Sequence, residues 1–194
     1  MLHLKLAEVQ AALVNCQRCR LHTGRTNIVF GSGDPNARLV LVGEAPGLNE
    51  DLTGVPFVGA AGQLLDKFLA RAGLAREKTY IANVIKCRPP GNRDPEDDEL
   101  AACTPFLVQQ LAAIQPAVIV TLGRFSVSFL TKQYGSMKAI LSLPQTSLRY
   151  GEIPVVPLYH PSYLLRCIGN KPQETKPLFQ DTLKRLQYAV SLAN

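Results

Sequence analysis

No run of apolar residues in this 194-residue chain is long enough to cross a bilayer. The opening Met1-Leu2-His3-Leu4-Lys5 lacks the charged-then-apolar layout of a secretory leader. Internal repeats and low-complexity tracts are absent, which leaves a folded domain rather than a repeat array. Five cysteines in a chain without signs of export do not read as a disulfide framework. These absences point to a soluble, cytoplasmic protein. With 46% hydrophobic residues it can build a full core, and its length suits one domain over residues 1–194.

The formal net charge is +6. A basic balance favours polyanionic partners, nucleic acid first among them. On charge alone, a solvated surface explains it equally well.

The cysteine spacing says more. Cys16 and Cys19 form a Cys-x-x-Cys pair, Cys87 and Cys103 follow with fifteen residues between them, and Cys167 stands apart. Four thiolates and one leftover is the arithmetic of a metal site. Tetrahedral zinc and a cubane iron–sulfur cluster both use four cysteines, and the spacing does not choose between them.

Alternation of short apolar runs with helical periods supplies the fold. Buried strands are expected over 38–43, 79–84, 117–122 and 153–159, and helices over 3–14, 60–72, from about 124, and over 177–192. Asp94 followed by Pro95 and further acids suits a helix start, with Asp94 as the cap, and Pro105 is expected to kink or split that helix. The pattern predicts an α/β fold: three layers, α/β/α, around a central four-stranded, mainly parallel sheet. Ligands of such sheets bind beyond the carboxyl ends of the strands. Glu44, Asn83 and His160 stand at three such ends and are expected to converge on one crevice.

In order, the polar segments are Gly43-Glu44-Ala45-Pro46-Gly47, Gly54-Val55-Pro56-Phe57-Val58-Gly59, Asn83-Val84-Ile85-Lys86-Cys87-Arg88-Pro89-Pro90 and His160-Pro161-Ser162. With the four cysteines they resemble the family 4 uracil-DNA glycosylases, and the resemblance runs from Cys16 through Arg166. It implies a uracil-DNA glycosylase-like fold and hydrolysis of the bond between uracil and deoxyribose, the first step of base excision repair. It also implies a [4Fe-4S] cluster on Cys16, Cys19, Cys87 and Cys103, binding the N-terminal segment to the domain as a structural element. The expected partner is uracil-containing DNA, single- or double-stranded, and the expected state is a monomer.

The chemistry explains the residue types. A glycosylase flips its base out of the stack and reads the Watson–Crick edge in a pocket. Uracil presents an acceptor at O4 and a donor at N3, and one side-chain amide matches both, which makes Asn83 the candidate reader. Phe57 is the candidate stacking ring. His160 has the family's role of donating to uracil O2 as negative charge builds there. Glu44 is the candidate to orient water or offset positive charge on the sugar. The best-known uracil glycosylases carry Asp one position later, where this chain has Ala45. Backbone N–H groups at Gly43 and Gly47 are candidates to hold the base, and Glu50 to crowd the methyl group of thymine. After Ser162, Leu164 and Leu165 are candidates for an apolar wedge that fills the vacated stack, with Arg166 for phosphate. The alternative is a first helical turn with core leucines. Arg18, Arg20, Arg25, Lys86, Arg88 and Arg93 are candidates for backbone contacts.

Three rivals remain: an iron–sulfur electron carrier, a zinc-stabilised nucleic-acid module, and a related glycosylase branch trapped on its product. The last is marked by a Lys-Arg-Arg-Ile-His type loop, which is absent here.

Overall fold

Alternate residues of one strand feed two different cores. In Leu39–Gly43 (β2), Val40 and Val42 point into one apolar cluster, and Leu39 and Leu41 into the other. A strand buried on both faces must lie inside a sheet covered on both sides, which is why its sequence is uniformly apolar. The computed structural model describes residues 5–170 and 172–194.

Four strands run parallel in the order β3 (Tyr80–Asn83), β2, β4 (Val118–Leu122) and β6 (Ile153–Leu158). Two short strands extend the sheet to six: β1 (Ser32–Gly33) runs antiparallel beside β3, and β5 (Arg149–Tyr150) antiparallel beside β6. The expected four-stranded sheet is thus the parallel centre of a mixed six-stranded one. Two-residue strands carry no periodicity and cannot be read from sequence.

One face is covered by α1 (Leu6–Ala11), α4 (Asp97–Ile114), α5 (Arg124–Thr131) and α6 (Met137–Leu141), through residues such as Val9, Phe106, Val127 and Ile140. The other face carries α3 (Ala60–Arg71), α7 (Pro161–Asn170) and α8 (Pro172–Ala193), through Leu65, Phe68, Leu164 and Leu186. The short α2 (Leu48–Thr53) follows β2. Each fully buried Leu or Phe contributes about 1.5–3 kcal/mol, so the two clusters hold the layers together. Among the described residues no helix is long and apolar enough to cross a membrane. The first residues of the expected 3–14 helix lie outside the described ones.

Three helix expectations need correction. The helix after the acidic run starts at Asp97 with Glu96 as its cap, not at Asp94. The Glu99 carboxylate accepts the Glu96 N–H at 2.9 Å, and this reach-back sets the register. Asp94 instead faces Arg124 at 3.5 Å. Pro105 does not split α4, and Pro177 lies inside α8 rather than at its start. Both prolines and the residues four positions before them are exposed. The carbonyls that lose a helical partner there face water, which satisfies them.

Candidate active site

The carboxyl ends of the strands form the floor of a cavity of about 360 Å³. Nine residues singled out from sequence line it: Glu44, Gly47, Glu50, Phe57, Asn83, Arg93, His160, Ser162 and Arg166. Register explains the meeting. Gly43 pairs with Asn83 across β2 and β3, and the pairing continues as Val84 N–H donates to the Gly43 carbonyl at 3.0 Å.

Gly43 works by what it lacks. A Cβ there would sit 2.4 Å from Asn83 Oδ1 and 2.7 Å from the Phe57 ring. Its bare backbone lets amide and ring close over the strand end. Asn83 is 1% exposed, and its Oδ1 has no hydrogen-bond partner among the described residues. An orphaned buried carbonyl costs about 1–3 kcal/mol, so it is an acceptor kept ready.

Phe57 has a left-handed backbone, φ 53°, which is strained for a large side chain. Two features hold it. Arg76 donates to the carbonyls of Pro56 at 2.6 Å and Phe57 at 3.1 Å while pairing with Asp66 at 2.7 Å. Gly62 in α3 admits the Phe57 carbonyl, which would lie 1.8 Å from any Cβ at that position. The Phe57 ring centroid stands 5.7 Å from that of His160, tilted by 37°.

His160 Nδ1 accepts the Ser162 N–H at 3.2 Å. Desolvation, with Arg166 adding repulsion, lowers its pKa to about 4. The ring is therefore neutral at physiological pH with its proton on Nε2. Glu44 is half-buried, and its carboxyl makes no hydrogen bond to the described residues. Desolvation first, then Asp94, raises its pKa to about 7, against a smaller opposing pull from Arg124. Glu50 serves the cavity wall: Oε1 accepts the N–H groups of Val58 and Gly59, both at 2.9 Å, and Oε2 accepts that of Gly47 at 3.1 Å.

The wedge candidates separate. Leu164 is 0% exposed within the core beneath α7, so it cannot enter a base stack. Leu165, one position on, is partly buried against the same core and lines a separate cavity with the half-exposed Ile168, which sequence reading missed. Arg166 is exposed at the cavity. Asn92 and Arg76 were also missed as site residues. Asn92 lines the cavity and accepts Arg88 Nε at 2.7 Å; the polar loop after the second strand was its only sequence signal. Arg76 had none.

The cysteines lie one loop away. Residues 83–93 leave the cavity at Asn83, pass Cys87, and return at Asn92 and Arg93. Cys87 and Cys103 are buried, and Cys16 and Cys19 half-buried. Electrostatic influence links Cys19 with Cys16, Cys87 with both, and Cys103 with Cys87 and Cys19. Yet among the described residues no three close in as ligands of a single ion would. Burial raises the pKa of Cys19 and Cys87, and that of Cys103 to about 11. Lys86 N–H donates to Cys103 Sγ at 3.2 Å, and Arg25 to Cys87 Sγ at 3.5 Å. Arg20 clips this segment to the start of α4 through Glu96 at 3.0 Å and Asp98 at 2.8 Å. Cys167 is buried on the opposite side of the sheet, within α7.

The chain belongs to the uracil DNA glycosylase superfamily, whose family model matches residues 30–187. Within it the type-4 group is where the chain falls. It is 46% identical over 165 residues to the type-4 uracil-DNA glycosylase of Archaeoglobus fulgidus, covering 82% of this chain and 83% of that one. Against the type-4 uracil-DNA glycosylase of Thermotoga maritima the identity is 46% over 164 residues, covering 84% of each. A type-5 uracil-DNA glycosylase of Pyrobaculum aerophilum is 31% identical, over 84% of this chain and 85% of its own.

Proposed function

We infer that the protein excises uracil from DNA by hydrolysing the N-glycosidic bond, leaving an abasic site and initiating base excision repair. The observation that carries the assignment of the pocket is the buried, unpartnered Oδ1 of Asn83 beside the cavity. In the proposed complex, Oδ1 accepts uracil N3–H and the amide nitrogen donates to O4. Cytosine presents the reverse pattern and would leave both groups unpaired, which is a strong basis for rejection. Phe57 stacks on the base. Glu50 holds the wall between Gly47 and Gly59 at fixed spacing, leaving little room for a 5-methyl group.

As the bond between C1′ and N1 breaks, its electron pair moves onto uracil and charge gathers at O2. The neutral His160 donates from Nε2 to that oxygen. Glu44, ionised above about pH 7, faces the positive sugar and takes a proton from the water that attacks C1′. Arg166 meets the DNA at the cavity mouth, with the partly exposed Leu165 beside it in the chain. One chain carries the whole cavity, which supports a monomer.

We assign Cys16, Cys19, Cys87 and Cys103 to a [4Fe-4S] cluster. Mutual reach without single-ion convergence fits a cluster better than zinc, and Cys19, Cys87 and Cys103, whose thiols burial pushes up, need a cationic centre to ionise. The cluster, when bound, supplies covalent cross-links between segments.

An oligonucleotide with one uracil, treated with the protein and then hot alkali, tests the activity. A cut at uracil that Asn83→Ala lowers by about 100-fold or more is expected. An iron-loaded protein that leaves the strand intact would overturn the reading.

A further inference from the structure

Lys86 is 0% exposed, among the largest fully buried side chains of the molecule. An ammonium group is costly to bury unless it is well partnered. Its Nζ donates to two neutral oxygens: the backbone carbonyl of Asn83 at 2.7 Å and Gln110 Oε1 at 2.6 Å. Gln110, also 0% exposed, donates onward to the Phe30 carbonyl at 2.9 Å and the Tyr80 hydroxyl at 3.2 Å. Tyr80 opens β3 and Asn83 closes it. The network therefore braces both ends of the strand that carries the base reader.

The other end of the same residue touches the cysteine site, through its N–H to Cys103 Sγ at 3.2 Å. Cys103 and Gln110 stand on one buried face of α4, two turns apart. One lysine and one helix thus connect the thiols to the strand end behind the cavity. A reader whose acceptor is left open depends on its backbone and its packing for aim, since Asn83 Oδ1 has no hydrogen-bond partner among the described residues. Small errors of aim are expensive for such a group.

We propose that Lys86 is a positioning residue for base recognition: its ammonium fixes the Asn83 carbonyl, and its backbone ties that carbonyl to Cys103. Occupancy of the cysteine site then sets the geometry in which uracil is read. This rests on the base-reading role of Asn83.

A double-mutant cycle tests it, read by single-turnover excision on uracil-containing DNA alongside iron content and melting of each variant. Lys86→Met keeps the stem and removes the donor. It is expected to retain iron and to slow excision by about 10- to 100-fold. In the Asn83→Ala background the same substitution is expected to cost nothing further, because the lysine acts through the asparagine. Multiplying effects would overturn the coupling, as would loss of iron from Lys86→Met in step with activity. Should Lys86→Met fail to fold, Gln110→Leu removes one acceptor from Lys86 and enters the same cycle with the same expected non-additivity. Full activity in Asn83→Ala alone would strike instead at the base-reading assignment.

Discussion

The base cavity and the cysteine site share one loop, residues 83–93, and are built on opposite plans. The cavity accumulates unmet demands: an amide oxygen without a donor, a carboxyl raised to about 7, a histidine lowered to about 4, and a phenylalanine with strained backbone. At the cysteine site the polar groups are answered. Arg20 pairs with Glu96 and Asp98, Arg93 grips the fully buried Glu99, and the two buried thiols of the set receive N–H donors. A site that must accept a substrate keeps its polar groups open, and its neighbour supplies the rigidity that makes this tolerable.

The comparison breaks first at the cysteines. Cys87→Ser is expected to lose iron and several kcal/mol of stability, lowering Tm by about 10 °C or more, by iron analysis and calorimetry. Excision per folded, loaded molecule would set the two sites apart.

The next effect is in pH. A raised carboxyl pKa means Glu44 is protonated, and unable to take a proton from water, below about pH 7. Single-turnover excision is expected to fall about tenfold per pH unit under that value and to level off above it. His160, lowered to about 4, stays neutral through this range and does not shape the limb. Glu44→Gln should be slow and flat, and a surviving limb in that variant would move the titration elsewhere.

The smallest effect tests the strain at Phe57. Arg76→Met removes both hydrogen bonds to the loop carbonyls. About 1–2 kcal/mol of stability and about tenfold in excision are expected to go, since breaking such bonds leaves buried acceptors unpaired. An unchanged rate in this variant would mean that Gly62 packing alone holds the ring.

Much of this was legible in the sequence because chemistry and periodicity coincided. Asn83 and His160 close apolar runs, so their place at the strand ends followed from the α/β rhythm. The adjacent Leu164 and Leu165 show the limit. Neighbours on a helix point about 100° apart, and only the rotation of α7 on the sheet decides which is core. Four acids in a row, Glu96 to Glu99, follow the expected cap Asp94, and the helix start fell to where Glu99 could reach back. The grip of Arg76 on Phe57 joins residues from different elements, which no local pattern records.

Order of synthesis adds a last consequence to the cysteine set. Cys16 and Cys19 leave the ribosome long before Cys103, with β1, β2 and β3 all translated in between. Until α4 emerges, the early pair has only itself and, later, Cys87 for company. On the proposed assignment, insertion of a cluster is a late event, after much of the sheet has been made. Closing so long a loop is slow compared with local contacts. For that interval the nascent chain exposes thiols that the finished fold buries or half-buries, and its vulnerability to oxidation should peak before folding is complete.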